Sequence, residues 1–592
     1  MGRINLAEIF IRWTPSLRQV NCKCKIKAIN SNRIAPVFSP FQWNLSLVCK
    51  TFPDCPDLSS GHPIAMSQPL FITTAIDYTN GAPHIGHAYE KVLADAITRF
   101  QRLAGQSVYF LTGVDQHGQK VQQTAEKAGV TPQVYVDEIT QKFLALWQRL
   151  DVQYDGWAAT TDPRHTAIVQ SLLQQLQDAG QLYKKNTRRF YSTRQEQDLT
   201  DKDRDASGNF GPEWGEVLEL DEENWYFRLT EHLPWLRRYL QSHPDAVFPA
   251  NRLSQLLNAV EGEGMDLCIS RPKKRLTWGI ELPFDRDYVT YVWFDALTNY
   301  ISFAGFRDAS PATSGLPDFS KTWQGADAVH VIGKDILIPA HGIYWPIMLH
   351  ACGFPDSDIP RLLVHGWWNA RGEKMSKSLG NVIDPNAIAD TIGTDALRYF
   401  LLSEIATGQD SDMSDERVIF RNNKELADIL GNLLNRTLSM ARNPKYLGGV
   451  LRHTDFDSEA HTALRAKVTA LPAAAAEYMK TWQIQKVLSD VIDTARQANE
   501  FIDQTAPFKL AKDPANADQV ASIIGHIAEA MAHLSVLLSP VMPAAAAKMQ
   551  QQLGWTPPAG FKLADLTWGL LPDGHPLGEP SPIFPKILPP AA

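Results

Sequence analysis

Residues 70–76 (Leu-Phe-Ile-Thr-Thr-Ala-Ile) form an apolar, β-branched run, followed by the loop Asp77-Tyr-Thr-Asn-Gly-Ala-Pro83 and an amphipathic segment reaching about residue 103. The run has the composition of a buried strand, and Gly81 and Pro83 punctuate the turn after it. Val92, Leu93, Ala96, Ile97 and Phe100 share one helical face, which predicts a helix closed by Gly105 just past its end. A second strand-like run at 107–112 opens into Gly113-Val-Asp-Gln-His-Gly118. Parallel strands need a crossover of this length, so the segment reads as a βαβ unit and commits the chain to a parallel α/β sheet.

Helical periodicity continues to about residue 180, and strand-like runs return in the sheet at 288–294, 328–332 and 362–364. Residues 185–228 are charged, with Gly, Asp and short Tyr- and Phe-bearing runs, the composition of a small insertion. From about residue 416 apolar residues recur at three and four over 426–440, 463–478, 483–501 and 521–538, which predicts an antiparallel helix bundle. The last of these is the most apolar, yet it carries His526, Glu529 and His533, and no run reads as long enough to cross a bilayer. The proline-rich end from residue 571 reads as a tail. The expected organisation is an N-terminal extension (1–65), a Rossmann-like domain in two halves (66–184 and 229–365) around a connective insertion (185–228), a lysine-loop region (366–415), a helical domain (416–575) and a tail (576–592).

A net charge of −8 over 592 residues excludes a generally basic nucleic-acid binder, so any such contact must come from local patches. Only Cys268 and Cys352 lie in the body of the chain, too few for a disulfide framework or a four-cysteine zinc site, and the body reads as intracellular and reduced. Residues 1–65 are basic, with Glu8 the sole acid before Asp54. They fit either a targeting presequence or a segment ahead of a true start at Met66. The expected location is the cytoplasm, or the mitochondrion if the segment is a genuine presequence.

His84-Ile-Gly-His87 opens the first helix directly after the first strand, where a parallel sheet presents its ligand crevice and a helix N-terminus favours anions. Two histidines on one turn can both donate to a triphosphate, and Gly86 lets a nucleotide lie against the backbone. Alone, the pattern fits a helix cap or a zinc pair equally well. Far downstream, after the strand at 362–364, Lys374-Met-Ser-Lys-Ser378 sits between Gly372 and Gly380. Lysines place point charges on flexible stems that suit phosphates, and the serine hydroxyls bind the same oxygens or shape the loop. Alone, this is a solvated basic turn. Together, each behind a strand, the two segments point to one nucleotide site.

These segments resemble the two signature motifs of the class I aminoacyl-tRNA synthetases, the second letter for letter. Four more blocks resemble the methionyl-tRNA synthetases: Ala75-Ile-Asp-Tyr-Thr-Asn-Gly81, Thr112-Gly-Val-Asp-Gln-His-Gly-Gln-Lys120, Tyr291-Val-Trp-Phe-Asp-Ala-Leu-Thr-Asn-Tyr300 and Ile332-Gly-Lys-Asp-Ile-Leu337. The resemblance covers about 68 to 550. It implies activation of L-methionine by ATP to methionyl-adenylate and pyrophosphate, then transfer of the methionyl group to the 3′-terminal ribose of tRNA(Met), initiator included. It implies that His84, His87, Lys374 and Lys377 catalyse by positioning and charge stabilisation. ATP would be held by these four with Gly86, Glu90, Gly333, Asp335 and Ser376, and Mg²⁺ would neutralise phosphate charge. Asp115 takes the ammonium of methionine, and Ile76, Tyr78, Trp293, Ala296, Tyr300, Ile336 and His341 line a slot for the thioether. Asn432 and Arg436, four apart on one helix face, and Phe508 would contact anticodon bases.

The chain departs from the family pattern in three places. Asp335-Ile-Leu-Ile-Pro-Ala-His341 holds one residue more than the usual D-I-x-x-F-H, and a proline, which leaves the register of His341 open. Residues 185–228 contain no cysteine where many methionyl enzymes carry zinc knuckles, so no structural zinc is expected. Phe508 stands where tryptophan is usual; it can still stack on an unpaired base, with less area. The insertion is also too short for the editing domain that valine, isoleucine and leucine enzymes use to separate near-identical side chains. A cysteine enzyme would need zinc-ligating cysteines. A small nucleotidyltransferase would leave the helical domain without a task, and a non-catalytic tRNA-binding relative would be free to lose the lysines. A monomer without a membrane partner is expected.

Overall fold

The computed structural model describes residues 68–194, 197–308, 313–370, 372–375 and 381–587, all within the second of the chain's two units, Met66–Ala592. The reading of residues 1–65 lies outside the described residues. The main sheet has seven strands: β1 (Leu70–Thr74), β2 (Asp77–Tyr78), β3 (Val108–Asp115), β4 (Gly156–Ala159), β5 (Val247–Phe248), β6 (Asp327–Gly333) and β7 (Arg361–His365). β1 lies between β3 and β6, with Leu70 opposite both Val108 and Asp327, and β7 and β5 follow beyond β6. β4 and the two-residue β2 pair with β3, and every pairing is parallel. The chain leaves β1 toward β3 on one side and reaches β6 on the other, so the crevice of the sheet opens at the carboxyl ends of β1 and β6.

The helix after β1, α1 (Ile85–Leu103), buries Val92, Leu93, Ala96, Ile97 and Phe100 as the spacing predicts, and Gly105 follows it at a left-handed φ of +93°. The expected sheet strand at 288–294 is not one. Asp285–Thr290 belongs to a separate antiparallel ribbon with Ser270–Pro272 and Glu281–Leu282, and Val292–Ser302 is a helix, α2. Every residue of α2 from Phe294 to Ser302 is buried. A segment buried on all sides has no period, and its aromatic start imitates a strand.

The insertion is a long antiparallel pair, Leu182–Ser192 against Val217–Phe227, with Gln197–Leu199 and Leu267–Cys268 on its edges. An arginine sits at its free end. The Arg204 guanidinium lies 4.7 Å from the Phe190 ring and 4.1 Å from the Phe210 ring, and donates to Asp201 Oδ1 and to the Gly208 carbonyl, both at 2.9 Å. A cation against two aromatic faces ties the turns together.

The helical region comprises Arg421–Gly431 continuing into Asn432–Arg442, then Glu459–Met479, Ile484–Thr505, Ala517–Leu538 and Pro543–Gln552. Contrary to the sequence expectation, the span Pro514–Leu538 is long and apolar enough to cross a membrane; 89% of its window is buried, as for the central helix of a bundle. The proline-rich end is not a loose tail. Gly574 and Leu577 donate to the carbonyls of Leu451 and Gly449, and Asn423 exchanges two 2.8 Å hydrogen bonds with the backbone of Ile587. Glu529, at the centre of the apolar helix, accepts the N–H groups of Gly569, Leu570 and Leu571 at 2.7, 2.7 and 3.0 Å. Proline stops a helix but not an extended strap, so composition alone misread this segment.

Candidate active site

A cavity of about 420 Å³ opens at the carboxyl ends of β1, β3, β6 and β7. The stretch after β1 supplies Ile76 and, in β2, Tyr78; the N-cap and first turns of α1 supply His84, Gly86, His87 and Glu90, and β3 supplies its last residue, Asp115. α2 contributes Trp293, Ala296 and Tyr300 from one face, β6 contributes its last residue, Gly333, and the segment after it Asp335, Ile336 and His341. These are all the described residues that the sequence assigns to catalysis, ATP or methionine, apart from Lys374. Lys374 ends the short strand Glu373–Lys374, while Ser376 and Lys377 lie outside the described residues. On either side of them, Met375 lines the cavity, and the Ile383 carbonyl accepts the N–H of Ile85 at 3.1 Å.

His84 caps α1. Its Nδ1 accepts the N–H of Gly86, and its own N–H donates to His87 Nδ1, both at 3.1 Å, with the two rings 3.9 Å apart. A ring nitrogen that accepts carries no proton, so both imidazoles hold theirs on Nε2, which suits them to donate to phosphate oxygens. Gly86 has a local reason as well. A Cβ there would stand 2.9 Å from His84 Cε1 and would push the folded-back ring aside.

The other wall is neutral. The Tyr300 hydroxyl donates to His341 Nε2 at 2.8 Å, and His341 Nδ1 donates to the Ile336 carbonyl at 2.9 Å. The Tyr300 ring stacks on His330 at 4.0 Å; His330 Nε2 accepts the Trp345 N–H at 3.1 Å, so Nδ1 donates to Thr73 Oγ1 at 2.6 Å. Burial lowers His341 to about 4 and holds His330 well below the usual histidine range. The extra residue near Pro339 is absorbed as a wide turn over Leu337–Tyr344, with the His341 N–H reaching back five residues to Ile336. The turn brings His341 into the cavity wall beside Tyr300.

Behind α2, Asp295 accepts from His117 Nδ1 at 2.7 Å and His165 Nε2 at 2.8 Å. Burial would raise this carboxyl, but the two histidines hold it below the usual range. Sequence reading assigned no role to Asp295, to Asp77 and Lys91 beneath the crevice, or to His365, which ends β7 in the cavity wall. For His365 a signal existed, since a polar residue directly follows the apolar run at 362–364. Arg194, which reaches the cavity from the insertion, had none.

The three residues assigned to anticodon contact lie elsewhere. Asn432 and Arg436 share the helix Asn432–Arg442, with Arg436 donating to Asp503 Oδ1 at 3.0 Å, and Phe508 stands 47% exposed on Pro507–Leu510. Among the described residues no group of three or more His, Cys, Asp or Glu side chains gathers as a metal site requires.

The family model described as "tRNA synthetases class I (M)" matches residues 70–208 and 215–438, a span that contains every residue lining the cavity, and the class is that of the class I tRNA synthetases. A second, "Anticodon binding domain of methionyl tRNA ligase", matches residues 453–590. A methionine–tRNA ligase of Deinococcus radiodurans is 39% identical over 541 residues, covering 90% of this chain and 77% of its own length. One of a Nostoc species is 37% identical, with 87% and 97% covered. The structure of Mycobacterium tuberculosis methionyl-tRNA synthetase in complex with methionyl-adenylate superposes with a TM-score of 0.80 at 35% identity, covering 88% of this chain and 100% of that one. The chain belongs to the methionyl-tRNA synthetase family.

Proposed function

We propose that the chain is a methionine–tRNA ligase, which activates L-methionine with ATP and passes the methionyl group to the 3′-terminal ribose of tRNA(Met), the initiator included. The observation that carries this reading is the single cavity in which a histidine-capped helix start faces a buried carboxylate and a neutral aromatic slot. In the first step a carboxylate oxygen of methionine attacks the α-phosphorus, and the bond to the bridging oxygen breaks as pyrophosphate leaves. His84 and His87 donate Nε2–H to the phosphates, and Lys374 and Lys377 act on the leaving pyrophosphate. Asp115 holds the ammonium, and Trp293, Tyr300 and the neutral His341 enclose the thioether. In the second step a ribose hydroxyl attacks the acyl carbon and AMP departs. No covalent enzyme intermediate forms.

Mg²⁺ enters with ATP as part of the substrate. Asn432, Arg436 and Phe508 read the anticodon, and the enzyme works as a cytoplasmic monomer. ATP–pyrophosphate exchange run with each amino acid in turn tests the reading. Methionine should drive exchange. Exchange with leucine or cysteine in its place would overturn the substrate, and none with any amino acid would overturn the activity.

A further inference from the structure

Lys91 follows Glu90 in α1, and its side chain is fully buried beneath the crevice. Its ammonium donates to the Ala75 carbonyl at 3.0 Å, Asp77 Oδ1 at 2.9 Å and Glu90 Oε1 at 2.7 Å. These use all three of its donors. Ala75 and Asp77 bracket Ile76, with Tyr78 next, so two of the three bonds hold the loop that faces methionine. The third holds Glu90, whose other oxygen meets His365 at the end of β7, 3.1 Å away. One cation therefore bridges the exit of β1, the first helix and, through Glu90, the exit of β7.

Stability alone is a weak reason to bury this charge. Desolvation offsets most of the attraction within a buried ion pair, and an apolar side chain of the same length often serves the fold as well or better. The surrounding carboxyls show the strain on a shared cation. Burial pushes Asp77 up to about 7 against the pull of Lys91, whereas Glu90, which burial would also raise, is held below its usual range by Lys91 and His365. Asp77 Oδ2 has no hydrogen-bond partner among the described residues. A fixed geometry is what the arrangement provides.

We propose that Lys91 is a positioning residue of the activation step, cross-linking the methionine-facing loop to Glu90 so that the sites for the two substrates are set by one buried cation. This rests on the reading of Tyr78 as a methionine contact and Glu90 as a nucleotide contact. The test is ATP–pyrophosphate exchange by the full chain carrying Lys91→Met, beside the one-sided variants Tyr78→Ala and Glu90→Gln. Lys91→Met should raise KM for methionine and KM for ATP together, each roughly tenfold, as a displacement approaching 1 Å would. Tyr78→Ala should raise the first alone and Glu90→Gln the second alone. Should Lys91→Met fail to fold, Lys91→Met with Asp77→Asn removes one charge of each sign and carries the same expectation. A lower melting temperature with both KM values within about twofold of the parent, or a rise in only one of them, would overturn the cross-link while the site reading stands. If the one-sided variants left their own substrate unaffected, the site reading would fall and the cross-link with it.

Discussion

Arg398, on the helix Thr394–Ser403, is fully buried between α1 and the turn after the apolar bundle helix. It donates to the carbonyls of Leu150 at 2.8 Å, Pro540 at 3.1 Å and Val541 at 2.7 Å, and to Asp95 Oδ2 at 2.6 Å. Arg398→Met would remove all four bonds while nearly filling the space. Asp95 would keep Arg99 at 2.8 Å and the Gln153 N–H at 2.9 Å, so its charge is not stranded. The cost then falls on three orphaned carbonyls, at about 1–3 kcal/mol each, or about 3–9 kcal/mol in all. For a cooperative unit of about 150–250 residues each kcal/mol moves the midpoint by about 2–4 °C, so calorimetry should show a fall of at least about 6 °C. Because the residue joins the sheet domain to the bundle, aminoacylation should drop more than pyrophosphate exchange. Arg398→Lys, a point charge with shorter reach, should fall between the two. A midpoint shift under about 2 °C, or equal losses in both assays, would refute the reasoning.

Acid should weaken the fold through His341. Its folded pKa of about 4 lies below the ordinary 6.5, so the unfolded chain binds the extra proton between those values and stability falls as pH drops through that window, by about 3 kcal/mol for this group. His330 and His461 are shifted the same way, so the check is the difference in urea midpoint between pH 7 and pH 4.5 for His341→Gln against the parent; parallel curves would exclude His341 as the source. Arg204→Ala should loosen the insertion by about 1–2 kcal/mol, seen as faster proteolysis near 190–215, with a zinc chelator leaving the parent's resistance unchanged. Lys374→Ala should cripple exchange while equilibrium methionine binding persists; loss of that binding would make the loop structural. Arg436→Ala should lower aminoacylation and spare exchange, and equal losses would count against an anticodon role.

The legible parts of the fold were those with a period. The first βαβ unit and the helices of the bundle announce themselves because one face of each meets water and the other does not. α2 was misread because it has no such asymmetry, although Trp293, Ala296 and Tyr300 on it, singled out through the block they belong to, do line the cavity. The strap at 571–587 was misread for the opposite reason. Its backbone hydrogen bonds leave no trace in the order of side chains, and its buried Leu571, Leu577 and Phe584 are spaced too irregularly to show a period. Glu529 shows the same limit: it argued against a membrane span, while its task, holding three N–H groups of that strap, needed coordinates.

What sequence could not supply is the sorting of charge around the crevice. His330 and His341 receive a hydrogen bond from Trp345 and Tyr300, so each ring has an acceptor nitrogen already occupied and stays neutral when buried. His117 and His165 instead flank the Asp295 carboxylate, and Glu90 lies between Lys91 and His365. The same residue type is thus buried and neutral beside Tyr300 and hydrogen-bonded to a carboxylate behind α2 and beside Glu90. A polarisable thioether gains from a wall without fixed charge, whereas phosphates gain from one rich in oriented donors. Converting Tyr300 to Phe would remove the donor that occupies His341 Nε2, and the slot should then admit polar analogues of methionine more readily; exchange driven by such analogues measures this, and unchanged selectivity would mean that shape rather than charge sorting guards the slot.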